Sequence, residues 1–146
     1  MFIGEYHHTI DGKNRLTIPS PFRQQLNQGK NEFVITRGLD KSLFLYPFSE
    51  WGNLEQRLKS FSITQSNTRA FLRLFFSGAH LSQLDSQGRI VLPQSLKDFA
   101  GMKEKVAIIG AFNKIEIWDE KEWDKYYHSK EAIFEELSEK IMDLGI

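Results

Sequence analysis

Displaced by 74 residues against itself, the sequence superimposes Phe2, Gly4, Asp11, Arg15 and Pro19 on Phe76, Gly78, Asp85, Arg89 and Pro93, five identities in eighteen positions. The apolar spacing repeats with them, since Ile10, Leu16 and Ile18 fall on Leu84, Ile90 and Leu92. After a slip of two residues, Leu43-Phe44-Leu45-Tyr46 and Trp51 match Ile115-Glu116-Ile117-Trp118 and Trp123. A unit this small cannot close a core alone, so two copies are expected to pack against each other. This predicts a first unit over residues 1–60, a connecting helix over 61–75, a second unit over 76–125 and a helical tail over 126–146.

Each unit carries the same order of local signals. The motif D-x-x-x-R forms a turn, and Leu16-Thr17-Ile18 or Ile90-Val91-Leu92 leaves it with the alternation of a half-buried strand. Pro19 and Pro93 stop those strands because proline cannot donate to a ladder. Short helices are predicted around Phe22 to Leu26 and Leu96 to Ala100, followed by hairpins that start at Phe33-Val34-Ile35-Thr36 and Val106-Ala107-Ile108-Ile109. Ser49 and Asp119 stand where helix N-caps belong, and Asp119 with Glu122 suggests a capping box. Helical stripes are read at Trp51, Leu54, Leu58 and Phe61, at Ala70, Phe71, Leu74 and Phe75, and in the tail at Ile133, Leu137, Ile141 and Leu144. The tail stripe is expected to dock on a neighbour or on the chain's own body.

Formal charge excludes less than its total suggests. The net value is zero, but residues 1–97 hold 12 basic and 7 acidic side chains while 98–146 hold 7 basic and 12 acidic, so +5 cancels −5. All seven arginines precede Ile90. Arginine's planar fork matches phosphate and guanine edges better than lysine's point charge, so the basic part, not the tail, is the expected nucleic-acid surface. The absence of cysteine excludes disulfides, thiol nucleophiles and thiolate zinc sites. With no long apolar run and no signal-like start, the chain is read as cytoplasmic and free of membrane contact.

The two turns concentrate the chemistry. They read Asp11-Gly12-Lys13-Asn14-Arg15 and Asp85-Ser86-Gln87-Gly88-Arg89. An aspartate at the head of a turn accepts backbone N–H bonds from residues two or three further on, and Asn14 and Gly88 share a slot suited to left-handed backbone. Asp11, Gly12, Asp85 and Gly88 are therefore the turn-shaping candidates. Lys13, Asn14, Arg15, Gln87 and Arg89 are the candidate DNA contacts, held on a preorganised corner that suits the ~12 Å major groove. Asp and Arg four apart could equally pair with each other, an exposed ion pair of about 0–1 kcal/mol. Spacing leaves both readings open; retention of Asp and Arg in both copies favours aspartates that shape and arginines that face a partner. Gln87 makes the second turn less basic, so it is expected to contribute less.

The tandem motifs, the F-x-G before each, and the stretch Thr68-Arg69-Ala70-Phe71-Leu72-Arg73-Leu74-Phe75-Phe76 together resemble the MraZ family of bacterial transcriptional regulators, over essentially the whole chain. The resemblance implies an α+β, mainly β fold: a tandem pseudo-dimeric swapped hairpin (double-split β-barrel, AbrB/MazE-like) with short flanking helices and a C-terminal helix. It further implies binding of double-stranded DNA through the turns, at short direct repeats in the promoter of the division and cell wall gene cluster. Ring-shaped homo-oligomers and a nucleoid-associated location follow from the same likeness.

Enzymatic readings find little support. His7 and His8 are adjacent, so on a strand they point to opposite faces, and neither they nor His80, His128 and the scattered carboxylates form a catalytic or metal-binding set. No catalytic residue, metal, cofactor or small-molecule substrate is expected. The 12 phenylalanines read as core, because aromatic and basic residues interleave only near Arg69 to Phe76 and at helical period. The rival reading is an antitoxin-like or scaffolding module whose acidic tail, from Glu120 to Ile146, holds a protein partner.

Overall fold

A computed structural model describes residues 1–27 and 31–141. The first half runs β1 (Glu5–Thr9), β2 (Arg15–Thr17), α1 (Ser20–Leu26), β3 (Glu32–Arg37), β4 (Leu43–Pro47) and α2 (Phe48–Leu58). Helix α3 (Ser66–Ser77) crosses to the second half, where β5 (His80–Gln83), β6 (Arg89–Val91), α4 (Gln94–Phe99), β7 (Lys105–Ala111), β8 (Lys114–Asp119) and α5 (Glu120–Glu131) repeat the order. Helix α6 (Phe134–Lys140) follows. The fold is α+β, and every strand pair is antiparallel.

The halves interleave. Six strands form one sheet in the order β1-β7-β8-β4-β3-β5, so the first strand of each half pairs with the third strand of the other, while β2 and β6 form a separate two-stranded ribbon. At the centre of the ribbon Leu16 pairs with Ile90, its own equivalent in the repeat. At the centre of the sheet Phe44 likewise pairs with its equivalent Glu116. Both crossing points are therefore pseudo-two-fold, which is the symmetry expected when a duplicated unit packs on its copy.

Alternation along the strands sorts two cores onto the two faces of the sheet. One face carries Phe33, Ile35, Leu43, Leu45, Ile108, Ile115 and Ile117, and the ribbon closes over it with Leu16, Ile18, Ile90 and Leu92. All four ribbon residues are buried, so this core belongs to both halves at once. The other face carries Val34, Phe44 and Tyr46 against Trp51 of α2 and Phe75 of α3, and Trp118 against Trp123 and Tyr126 of α5. The basic ribbon and the acidic helix α5 thus lie on opposite sides of one sheet. Strand β1 shows the same split: the imidazole of His8 bonds the Thr17 carbonyl in the ribbon, whereas His7 bonds Glu120 of α5.

Several local expectations need correction. Ser49 lies inside α2, whose N-cap is Pro47, because β4 runs straight into the helix. Helix α2 ends at Leu58, which leaves Phe61 beyond it and exposed. Asp119 does cap α5, accepting from the Glu122 amide at 3.4 Å. Its second oxygen takes the Lys103 amide at 3.1 Å, and the Glu122 carboxylate turns to Lys125, so among the described residues the reciprocal half of the box is not made. The tail is two helices broken near Ile133; no residue of either is fully buried, and α5 is held to the body by its half-buried Trp123 and Tyr126 against Trp118. Ile141 follows α6, and Leu144 lies outside the described residues.

Candidate nucleic-acid interface

The two D-x-x-x-R corners are built by the same five hydrogen bonds. In the first, the Asp11 amide donates to the Arg15 carbonyl at 3.0 Å and the Asn14 amide to the Asp11 carbonyl at 3.1 Å. Oδ1 of Asp11 accepts the amides of Lys13 and Arg15, each at 2.9 Å, and Oδ2 accepts Nε of Arg15 at 2.6 Å. In the second, Asp85 makes the equivalent backbone bonds with Arg89 and Gly88. Its Oδ1 accepts the amides of Gln87 and Arg89 at 2.9 Å, and its Oδ2 accepts Nε of Arg89 at 2.8 Å. The Asn14 and Gly88 backbones are left-handed, with φ of 60° and 73°. Gly12 needs neither property of glycine: a Cβ there meets nothing within 4 Å, and its φ is not positive. Ser at the equivalent position 86 agrees with that freedom.

Those donors set the carboxylates' acidity. The Arg15 backbone amide, aided by the guanidinium and the Lys13 amide, holds the Asp11 carboxyl down at about 2. Arg89 lowers Asp85 in the same way. Both aspartates are therefore ionised across the neutral range, and each fixes its loop and its arginine with one carboxylate.

The pairing and partner-facing readings of the arginines turn out to be compatible. Each ion pair uses only Nε–H, one of the guanidinium's five donors, and among the described residues no other side-chain hydrogen bond is made by either arginine. The outer edge, with both terminal NH2 groups, stays available. Strand register then decides where that edge points. Arg15 and Thr17 share a face, Thr17 pairs with Arg89, and Arg15 pairs with Val91. All four lie opposite the buried Leu16 and Ile90, so both arginines stand on the one outward face of the ribbon, with exposed Lys13 and Gln87 at its two ends.

Each corner is also completed by the other half of the chain, which the repeat alone did not reveal. The ribbon ladder extends through the Ile18 amide to the Gly88 carbonyl and the Leu92 amide to the Asn14 carbonyl, at 3.0 and 2.8 Å. From α4, Lys97 Nζ donates to Asn14 Oδ1 at 2.7 Å, and Asn14 Nδ2 donates to Gln94 Oε1 at 3.2 Å. From α1, the Arg23 side chain lies over Gly88, so close that a Cβ on that glycine would sit 2.4 Å from Arg23 Cδ and Nη1. Positions 23 and 97 are equivalent in the repeat. Their shared basic character at the 74-residue offset was the available signal. Among the described residues, no group of three or more His, Cys, Asp or Glu side chains could hold a metal ion, and no helix is long and apolar enough to cross a membrane.

Comparison with known proteins agrees with this duplicated architecture. The family profile described as "MraZ protein, putative antitoxin-like" matches twice, over residues 1–74 and 75–144. A protein of Halothermothrix orenii is 47% identical over 146 residues, covering 100% of both chains, and one of Moorella thermoacetica is 46% identical with the same coverage. A third, of Desulforamulus reducens, is 46% identical over 144 residues, 99% of each chain. All three are named transcriptional regulator MraZ. With both halves matched and relatives aligned across its length, this chain belongs to the MraZ family.

Proposed function

We propose that the chain is a sequence-specific DNA-binding transcriptional regulator, not an enzyme, and that the ribbon is its reading surface. The observation that carries the reading is the shared outward face of Arg15 and Arg89, each tethered through Nε with its outer edge open. A two-stranded ribbon fits the major groove, and an arginine offering paired N–H groups meets guanine O6 and N7 or a phosphate. Lys13, Asn14 and Gln87 flank the arginines as further contacts, while Asp11, Asp85 and Gly88 hold the corner shape.

The interleaved strands support a pseudo-dimeric swapped hairpin, with units over 1–60 and 76–125, a connection over 61–75 and a tail over 126–146. The target is read as short direct repeats in the promoter of the division and cell wall gene cluster, engaged at the nucleoid in the cytoplasm. Ring-shaped homo-oligomers would array many corners, so that several weak contacts act together at raised effective concentration. Footprinting the purified protein on the DNA upstream of its own gene tests the reading. Protected, regularly spaced repeats are expected; no protection, with binding that is flat in salt, favours the antitoxin-like or scaffolding alternative.

A further inference from the structure

The two corners differ in charge as the chain presents them. The first holds Lys13 and Arg15 against Asp11, a formal +2 − 1 = +1, whereas the second holds Arg89 against Asp85, +1 − 1 = 0. A neutral corner makes a poor phosphate ligand, because counterion release scales with the cations brought to the backbone. The missing charge lies on the other half of the chain. Arg23 of α1 reaches the second corner and seats its guanidinium over Gly88, one residue before Arg89. It shares with Asp85 and Gln87 the lining of a depression of about 320 Å³. Among the described residues that guanidinium makes no side-chain hydrogen bond and no ion pair, although Asp85 borders the same depression, whose carboxylate Arg89 already occupies.

The equivalent residue behaves differently. Lys97 spends its ammonium on the Asn14 side chain, so at the first corner it is a positioning residue, and Lys13 is the cation at the tip. At the second corner Gly88 has no side chain to hold, and its bareness is what admits the Arg23 guanidinium. Asn with Lys and Gly with Arg are thus two solutions of one cross-unit contact, and the second leaves a cation unspent.

We infer that Arg23 is a DNA-contacting residue of the second corner, supplying from the first half of the chain the phosphate contact that Gln87 does not supply where Lys13 stands in the first. This rests on the DNA-binding reading above, and it revises the expectation that the second corner contributes less.

The test measures binding of the full-length protein to the duplex upstream of its own gene, across a salt series. Arg23→Gln keeps most of the aliphatic stem and removes the charge. It is expected to weaken binding about tenfold and to reduce the slope of log K against log salt by about 0.9, with a thermal midpoint close to the parent's. Arg23→Lys should keep the parental slope, and adding Gln87→Lys to Arg23→Gln should restore it. Gly88→Asn, which intrudes on the seat of the guanidinium, should weaken binding in the parent and add little to Arg23→Gln. Parental affinity and slope in Arg23→Gln, or lost affinity with an unchanged slope, overturn the assignment. If Arg15→Ala also leaves binding intact, or the parent binds no duplex, the DNA-binding reading itself falls.

Discussion

One carboxylate per corner organises the chemistry, because Asp11 and Asp85 each take two backbone amides and an arginine Nε. The arginine is thereby oriented without being consumed. Arg15→Ala should cost about 1–3 kcal/mol of DNA binding, a loss read by gel shift, with oligomer size and thermal midpoint near the parent's. Asp11→Ala should lower the thermal midpoint as well as the affinity, since the loop loses its internal acceptors; a parental melting curve would contradict that role. Acid exposes the same device. The folded Asp11 carboxyl titrates at about 2 against an ordinary 3.8, so the folded state holds fewer protons in that interval. Its contribution to stability is complete above 3.8 and is lost as pH falls through about 2, with Asp85 acting in the same direction. Melting curves across that window should therefore fall more gently for an Asp11→Asn, Asp85→Asn protein than for the parent.

Strands β2 and β6 are three residues each, too short to stand alone. They persist because Leu16, Ile18, Ile90 and Leu92 are driven into the core of the six-stranded sheet. Truncating Leu16, at the pseudo-two-fold crossing, should cost about 2–5 kcal/mol in chemical denaturation. It should also weaken DNA binding beyond the loss of folded protein, because both corners hang on that one crossing. Gly110 is a second sensitive point. A Cβ there would lie 2.4 Å from the Ile3 amide nitrogen and 2.6 Å from the Phe2 carbonyl carbon, both backbone atoms that cannot turn aside.

Across the whole molecule the sheet separates the ribbon, with both arginine corners, from α2, α3 and α5 on its other face. Because Arg15 and Arg89 share one face of that ribbon, a chain of zero net charge still gathers cations on one surface. The α2–α3 side leaves Phe71, Leu74 and Phe61 exposed at 43%, 60% and 53%, an apolar surface that the proposed ring would cover. Leu74→Glu should then dissolve the assembly in light scattering while the circular dichroism of the subunit persists. DNA affinity should fall with it by far more than a single contact is worth, since avidity of this kind contributes about 10²–10⁴.

The duplication was legible as a 74-residue offset of the sequence on itself, and the order of elements, the corner motif and the left-handed Asn14 and Gly88 were legible because each depends on neighbours within a few positions of chain. Helix ends at Ser49 and Phe61 were not: there the β4–α2 junction overrode a local capping signal and the helix stopped short of its apolar period. Tertiary structure alone decided that each half's first strand joins the other half's third, that Arg15 and Arg89 share a face, and that Arg23 and Lys97 complete the opposite corners. These are contacts between residues some 45 to 104 positions apart in sequence. Periodicity shows that a strand has a buried face, but which strand it pairs with, and in what register, is set by how two incomplete cores close on each other.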